Sequence, residues 1–188
     1  ARRRFGLLAS DDGSRPPWNP IHTTFIVHSR PPKIYMELVN ACASDAAASR
    51  VRNIFVDSYS AYERFAYGAD ELMPISNTSN DRWGGLAITM VDALDSMVLL
   101  GLNEQYDRAR AWLREHYESL VVERAGDVAF FEVTIRALGG LLGAFSLTED
   151  VGLLRLAERL GQRLGRAFEA SPSGIPFCTV NLRHGNVS

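Results

Sequence analysis

An acidic and a basic residue four positions apart give the clearest chemical signal in this sequence. Glu132 and Arg136 lie in the segment 128–147, whose apolar spacing predicts a helix. At about 100° per residue, both side chains fall on one narrow stripe together with Gly139 and Gly143. Because an interior glycine costs a helix about 1 kcal/mol relative to alanine, this stripe indicates close approach by a ligand or by another backbone. An ordinary surface ion pair beside a packing notch is the alternative.

The same helical wheel predicts how the helix packs. Its apolar residues occupy the arc opposite Glu132, which is therefore expected to face the core. They are Phe130, Phe131, Ile135, Leu138, Leu141, Leu142 and Phe145.

Two further carboxylates stand in an otherwise apolar segment. Asp92 and Asp95 are three residues apart within a helix predicted over residues 86–100, so they lie on neighbouring turns. They could line the same cavity as Glu132. Alternatively, they could cap the helix or pair with loop arginines such as Arg82, and this structural interpretation is favoured.

Five helices must position these residues. The patterns predict helices over 44–67, 86–100, 103–117 and 128–147, followed by a fifth helix that Thr148 caps. Residues 175–182 read as an extended segment. The fold class expected for residues 44–188 is all-α, built from antiparallel helical hairpins. Residues 1–43 contain five prolines and no sustained period, which predicts an irregular, disordered N-terminal segment.

Composition excludes several classes of function. Twenty Lys and Arg balance 22 Asp and Glu, so no electrostatically driven nucleic-acid binder is expected. No run of about 18 apolar residues is present, and we therefore expect no membrane span in this chain. The two cysteines, Cys42 and Cys178, have no metal-ligand spacing, and their disulfide state stays open.

Two segments match the acceptor pattern for N-glycosylation. They are Asn77-Thr78-Ser79 and Asn186-Val187-Ser188, which make Asn77 and Asn186 glycosylation candidates. About one such match is expected by chance in a chain of this composition. The pair therefore gives weak support for a secretory route.

Four blocks in a fixed order resemble the class I α-1,2-mannosidases, glycoside hydrolase family 47. They are residues 61–74 (AYERFAYGADELMP), 89–97 (TMVDALDSM), 131–142 (FEVTIRALGGLL) and 172–177 (PSGIPF). The resemblance implies part of an (α/α)7 barrel. It also implies hydrolysis of terminal α-1,2-linked mannose from high-mannose N-glycans, with inversion and with bound Ca2+, in the lumen of the endoplasmic reticulum or Golgi.

The resemblance also implies roles for particular residues. Glu132 matches a catalytic acid and Arg136 a substrate-binding residue, while Asp92 and Asp95 match positions that support the barrel core. The second catalytic carboxylate and the Ca2+ ligands are expected downstream of residue 188, as inversion needs two carboxyl groups. The chain by itself should then be inactive, and any membrane anchor should lie outside it.

Two other functions stay open at this point. One is a lectin-like member of the mannosidase family that recognises misfolded glycoproteins for degradation. The other is a helical-hairpin scaffold without a sugar site. Release of mannose from a high-mannose glycan would separate the enzyme from both.

Overall fold

The computed structural model describes residues 46–188, and the predicted irregular segment 1–43 lies outside them. The described part is mainly helical, which confirms the all-α prediction. Two small antiparallel two-stranded sheets are added to the helices.

The elements follow one another closely along the chain. They are α1 (Ala46–Phe65), β1 (Glu71–Met73), β2 (Thr78–Asn80), α2 (Ile88–Asp92), α3 (Leu94–Leu99), α4 (Asn103–Ser119), β3 (Asp127–Ala129), α5 (Phe130–Val133), α6 (Gly139–Thr148), α7 (Val151–Glu169) and β4 (Thr179–Asn181). Two π-helical turns complete the helices: Leu120–Arg124 follows α4, and Thr134–Leu138 joins α5 to α6. Helix α3 packs against α4 and α6, and α7 packs against α4, α6 and β4.

Helix α1 ends at Phe65, two residues before the predicted end, and its buried side chains lie toward that end. Tyr59, Tyr62 and Ala66 are buried, whereas Val51 and Ile54 stay 59% and 63% exposed. Only the C-terminal half of α1 therefore contributes to the core. Gly68, which follows the helix, has a left-handed backbone with φ of +85°, a conformation typical of glycine after a helix end.

The second predicted helix is two short helices. Helix α2 starts at Ile88, after residue Ala87 in the left-handed conformation (φ 53°), and Ala93 separates α2 from α3. Ala87 is fully buried and is not a glycine, so its backbone is strained. Contacts made before the helix must hold this conformation.

The carboxylate of Asp70 makes those contacts. It is fully buried and accepts hydrogen bonds from the backbone N–H groups of Trp83 (2.9 Å), Gly85 (2.8 Å), Leu86 (2.7 Å) and Ile88 (3.2 Å). Burial raises the pKa of Asp70, and the four N–H donors oppose that effect. The Asp70 side chain thus holds the backbone of residues 83–88, which lead into α2.

The fourth predicted helix starts two residues late because its first residues form a strand. Val128 lies in β3, whose register pairs it with Val180 of β4. Strand β4 confirms the extended segment predicted over 175–182 but is limited to Thr179–Asn181. Phe130, the residue after β3, begins helix α5, and its N–H donates to the carbonyl of Cys178 (2.9 Å).

The cap of helix α7 is Asp150 and not Thr148. The Asp150 carboxylate accepts the N–H of Gly152 at 2.8 Å, as an N-cap residue does. The Thr148 hydroxyl instead donates to the carbonyl of Ala144 within α6 (2.8 Å). Glu149, with φ of 57°, reverses the chain between the two helices.

Helix α5, the π turn after it and α6 form one continuous helical segment, Phe130–Thr148. By length and composition this described segment could cross a membrane, contrary to the expectation that the chain contains no such segment. It contains the Glu132–Arg136 ion pair and packs against α2, α3 and α7. In this structure it is a packed helix of a helical domain.

Candidate active site

The predicted Glu132–Arg136 pair forms across a single helical turn. Glu132 lies in α5 and Arg136 in the π-helical turn that follows it. The Nε atom of Arg136 donates to Oε2 of Glu132 at 2.8 Å. The two side chains are 27% and 40% exposed, so the pair lies at an open surface without being fully solvated.

The π-helical turn changes the predicted position of the glycines. A π turn holds one residue more than an α turn, which moves each later residue by one place around the helix. Gly139 is consequently exposed, and Gly140 is buried against the backbone of α2. A β-carbon on Gly143 would lie 3.1 Å from Oδ2 of Asp95. Gly140, which lay outside the predicted stripe of Glu132, Arg136, Gly139 and Gly143, therefore makes the closest backbone approach, and this approach serves helix packing.

The predicted apolar arc is confirmed in its larger part. Leu141 and Phe145 are buried, and Phe130, Leu138 and Leu142 pack against the core. The prediction was wrong for Phe131 and Ile135, which are 66% and 49% exposed, while Val133 and Ala137 are fully buried in their place. The two large exposed side chains lie directly before and three residues after Glu132.

Asp92 joins the charged pair from a second helix. Its Oδ2 atom lies 3.4 Å from Nη1 of Arg136, and its side chain is 44% exposed. Burial raises the pKa of Asp92, while Arg136 lowers it and Asp95 adds to the rise. Asp92 therefore belongs to the charged cluster itself and does more than support the core.

Asp95 stands at the edge of this cluster. Its carboxylate accepts a hydrogen bond from the Ser96 hydroxyl (3.2 Å) and packs against Gly143 of α6. No described cation pairs with it. Its position between α3 and α6 agrees with a supporting role.

Trp83 and Glu71 belong to the site and were not among the predicted residues. The Cζ atoms of Arg136 and Arg82 lie 5.7 and 5.3 Å from the centre of the Trp83 ring. A hydrogen bond from the Trp83 side chain is the main reason that the pKa of Glu71 is lowered, and Arg82 also contributes. Arg82 therefore pairs with Glu71 (Nε–Oε2 2.7 Å) and not with Asp92 or Asp95. A lone tryptophan in a polar loop was the sequence signal that could have indicated this contact.

The cluster has the chemistry of a polar ligand site. Arg136 offers a planar set of N–H donors, Glu132 and Asp92 offer carboxylate oxygens, and Trp83 offers an aromatic surface. Such groups bind polyhydroxylated ligands, and Glu132 can transfer a proton. A cleft of about 840 Å³ elsewhere, between α4 and α7, contains none of the predicted site residues.

The remaining predictions concern metal binding, glycosylation and the cysteines. Among residues 46–188, no group of three or more His, Cys, Asp or Glu side chains could hold a metal ion. Asn77 and Asn186 are both exposed. Cys178 is an exposed free thiol, and Cys42 lies outside the described residues.

Comparisons with known proteins show to which family this chain is similar. The family model for glycosyl hydrolase family 47 matches residues 54–188. The mannosyl-oligosaccharide 1,2-alpha-mannosidase MNS1 of Arabidopsis thaliana is 41% identical over 137 residues, which are 73% of this chain and 24% of that protein. The human endoplasmic reticulum mannosyl-oligosaccharide 1,2-alpha-mannosidase is 44% identical over 135 residues, which are 72% of this chain and 19% of that protein.

A solved structure shows the same relationship. The alpha-1,2-mannosidase from Trichoderma reesei superimposes with a TM-score of 0.61 at 28% identity, covering 80% of this chain and 31% of that one. The chain thus spans about a quarter or less of the length of the two named sequence relatives. On the family match and these identities, the chain belongs to glycosyl hydrolase family 47.

Proposed function

We propose that the protein containing this chain hydrolyses terminal α-1,2-linked mannose residues of high-mannose N-glycans with inversion. In this proposal Glu132 is a catalytic acid and Arg136 binds the substrate. The observation that carries the proposal is the cluster of Glu132, Arg136, Asp92 and Trp83 at an open surface. The two relatives named above, called mannosyl-oligosaccharide 1,2-alpha-mannosidases, supply the substrate class.

Glu132 has one oxygen available for proton transfer. Arg136 bonds Oε2, and no group among the described residues bonds Oε1. The guanidinium therefore fixes the carboxyl plane and leaves Oε1 free for a leaving-group oxygen, directly or through a water molecule. General acid catalysis needs a carboxyl oxygen that can reach the leaving group, and Oε1 would serve that role.

Arg136 is held so that its remaining N–H groups can meet sugar hydroxyls. Its Nε atom is used by Glu132 and its Nη1 atom by Asp92 at 3.4 Å. A guanidinium carries five N–H donors in a rigid plane, so these two contacts orient the others. The Trp83 ring lies beside the same plane and limits its movement.

Trp83 is in turn held by two acidic residues. Its backbone N–H donates to Asp70 at 2.9 Å, and its side chain contributes to lowering the pKa of Glu71. We therefore assign Trp83 as a positioning residue for Arg136 and Asp70 as the group that anchors the Trp83 loop. Neither role requires contact with the substrate.

The chain supplies only part of the chemistry. Inversion needs a second carboxylate about 6.5 to 9.5 Å from the acid, which activates water. That residue and the Ca2+ ligands stay predictions for the part of the protein beyond residue 188.

The lumen of the endoplasmic reticulum is the proposed location. The human relative is named for that compartment, and both glycosylation candidates are exposed. Membrane anchoring by another part of the protein is compatible with this location.

The test is Glu132→Gln in a protein with the complete catalytic domain. We expect turnover of a high-mannose glycan to fall by about 10²-fold or more, while glycan binding persists. Glu158→Gln, at an exposed position on α7 outside the site, is the matched control. Full turnover by the Glu132 variant would refute its assignment, and glycan binding without mannose release by the unmodified protein would favour the lectin-like function.

A further inference from the structure

We infer that Asn77 carries an N-linked glycan and that Asn186 does not. The inference concerns a surface outside the site and rests on the lumenal location within the proposed function. Both asparagines stand in matching acceptor sequences, so the sequence alone does not distinguish them. Their surroundings in the fold do.

Asn77 lies at the open tip of a hairpin. The closing pair of the β1–β2 ladder is Met73 with Thr78, so Asn77 belongs to the connecting turn. Its φ of 53° is in the left-handed region, where asparagine is tolerated better than most residues. All residues from 73 to 79 are exposed, which leaves room for a bulky group.

The functional groups of this acceptor sequence are accessible. Among the described residues, no hydrogen bond is made by the Asn77 amide or by the hydroxyl of Ser79. The turn is instead held by the Ser76 hydroxyl, which contacts the Thr78 hydroxyl at 2.8 Å. A glycan on Asn77 therefore displaces no contact of the fold.

Asn186 differs because its acceptor sequence is paired with β4. Its carbonyl accepts the N–H of Asn181 (2.7 Å), Val187 forms a bridge with Val180, and Ser188 exchanges two backbone hydrogen bonds with Thr179 (2.9 and 3.1 Å). The residue before it, Gly185, packs tightly against Arg166. The backbone of the Asn186 acceptor sequence is accordingly held against β4, whereas the backbone at Asn77 lies in a turn outside its ladder.

The modification would also cover an apolar side chain. Ile75, two residues before Asn77, is completely exposed at the hairpin tip. Strand residues rise about 3.3 Å each, so the end of β1 at Met73 lies roughly 7 Å along the hairpin from Glu71, and the tip lies beyond it. The glycan would thus shield Ile75 from solvent without standing on the Glu71–Arg82 pair.

The chemistry is a transfer to the side-chain amide. Nδ2 of Asn77 bonds to the anomeric carbon of an oligosaccharide carried on a polyprenyl pyrophosphate. The bond from that carbon to the pyrophosphate oxygen breaks, the lipid pyrophosphate leaves, and one amide proton passes to a base of the host transferase. The host secretory pathway supplies both the donor and the transferase.

The test uses the full protein, expressed behind a cleavable signal peptide in cells that perform N-glycosylation. After enzymatic glycan removal in H2¹⁸O, mass spectrometry should find labelled aspartate at position 77 and unlabelled asparagine at position 186. Asn77→Gln and Ser79→Ala should each abolish the label at position 77. Thr78→Ala, which keeps an Asn-X-Ser acceptor, should retain it.

Two results would overturn the inference: unmodified Asn77 in the secreted protein, or labelling at position 186. Mannose release is measured on the same preparation. An active protein with bare Asn77 would refute the glycan alone, whereas a glycosylated protein without mannosidase activity would refute the proposed function alone.

Discussion

Gly140 packs directly against the backbone of Val91, and a β-carbon on Gly140 would lie 2.6 Å from the Val91 carbonyl oxygen. Backbone atoms cannot move aside as a flexible side chain can. This contact brings the helix that bears Glu132 and Arg136 against the helix that bears Asp92. It therefore sets the distance across which the site is assembled.

Gly140→Ala should destabilise the fold by about 2 kcal/mol, because overpacking against backbone outweighs the better helix propensity of alanine. Denaturant unfolding of the complete catalytic domain measures the effect. Gly139→Ala is the matched control: it is exposed, and its nearest neighbour would be the Thr134 carbonyl at 3.6 Å. The control should be neutral or slightly stabilising, and similar losses for both variants would contradict the proposed packing.

Ala87→Gly should stabilise the fold by about 1 kcal/mol, because Ala87 holds a left-handed backbone that glycine adopts without strain. The change in thermal midpoint checks this result. Ala93→Gly provides the comparison, since Ala93 is right-handed (φ −88°) and should lose stability. A loss of stability in both variants would show that the Ala87 methyl group contributes more by packing than its backbone costs.

Asp70→Asn should destabilise the fold by about 3 kcal/mol, because an amide nitrogen cannot accept the buried N–H groups that Asp70 now satisfies. Asp81→Asn is the comparison. Among the described donors, the Asp81 carboxylate accepts only the N–H of Asp70 (3.0 Å), so this change should lower stability less. Unfolding by denaturant compares the two. Equal losses would argue against Asp70 as the anchor of the loop.

Asp150 should make the free energy of unfolding depend on pH in the acidic range. Burial alone would raise the pKa of Asp150, but hydrogen bonds from Arg110, Arg114 and the Gly152 N–H together lower it. A carboxyl whose pKa is lower in the folded state stabilises the fold above its unfolded pKa of about 3.9 and loses that contribution as the pH falls through the folded value.

Asp150→Asn keeps an N-cap side chain but removes the charge. The difference in unfolding free energy between wild type and this variant should be present at pH 7 and should shrink below about pH 4. Unfolding curves at both pH values measure it. A difference that is the same at pH 3 would indicate that charge pairing with the arginines contributes nothing.

Trp83→Leu should weaken catalysis by loosening Arg136, whereas Trp83→Phe, which keeps an aromatic ring, should recover part of the loss. Because Arg136 is proposed to bind substrate, KM should rise more than kcat falls. Steady-state kinetics on a high-mannose glycan separate the two parameters. An unchanged KM in the leucine variant would remove Trp83 from the positioning role.

The sequence predicted the existence of the helices and the identity of the ion pair, but not the geometry around it. Period and composition placed Glu132 and Arg136 one turn apart, and the structure confirms that contact. The helical spacing of apolar residues does not indicate the π turn. One local contributor is the Thr134 hydroxyl, which bonds the Phe130 carbonyl at 2.6 Å, a kind of side-chain contact that bends helices.

Trp83 and Asp70 were missed for a different reason. Their roles depend on contacts between residues far apart in sequence: 13 positions separate Asp70 from the Trp83 N–H that it accepts. Helical periodicity describes only neighbours three or four residues apart. A buried aspartate that organises a distant loop therefore leaves no periodic pattern.

The ion pair and the Asp92 contact differ in how they would respond to motion. Glu132 and Arg136 belong to one helix, so a rigid tilt of that helix carries both residues and preserves their 2.8 Å contact. The 3.4 Å contact of Arg136 with Asp92 crosses to a second helix and must lengthen or shorten when the helices shift. Glu132 would thus keep its orientation relative to Arg136 during such a shift, and the distance between Arg136 and Asp92 would report the movement of the two helices.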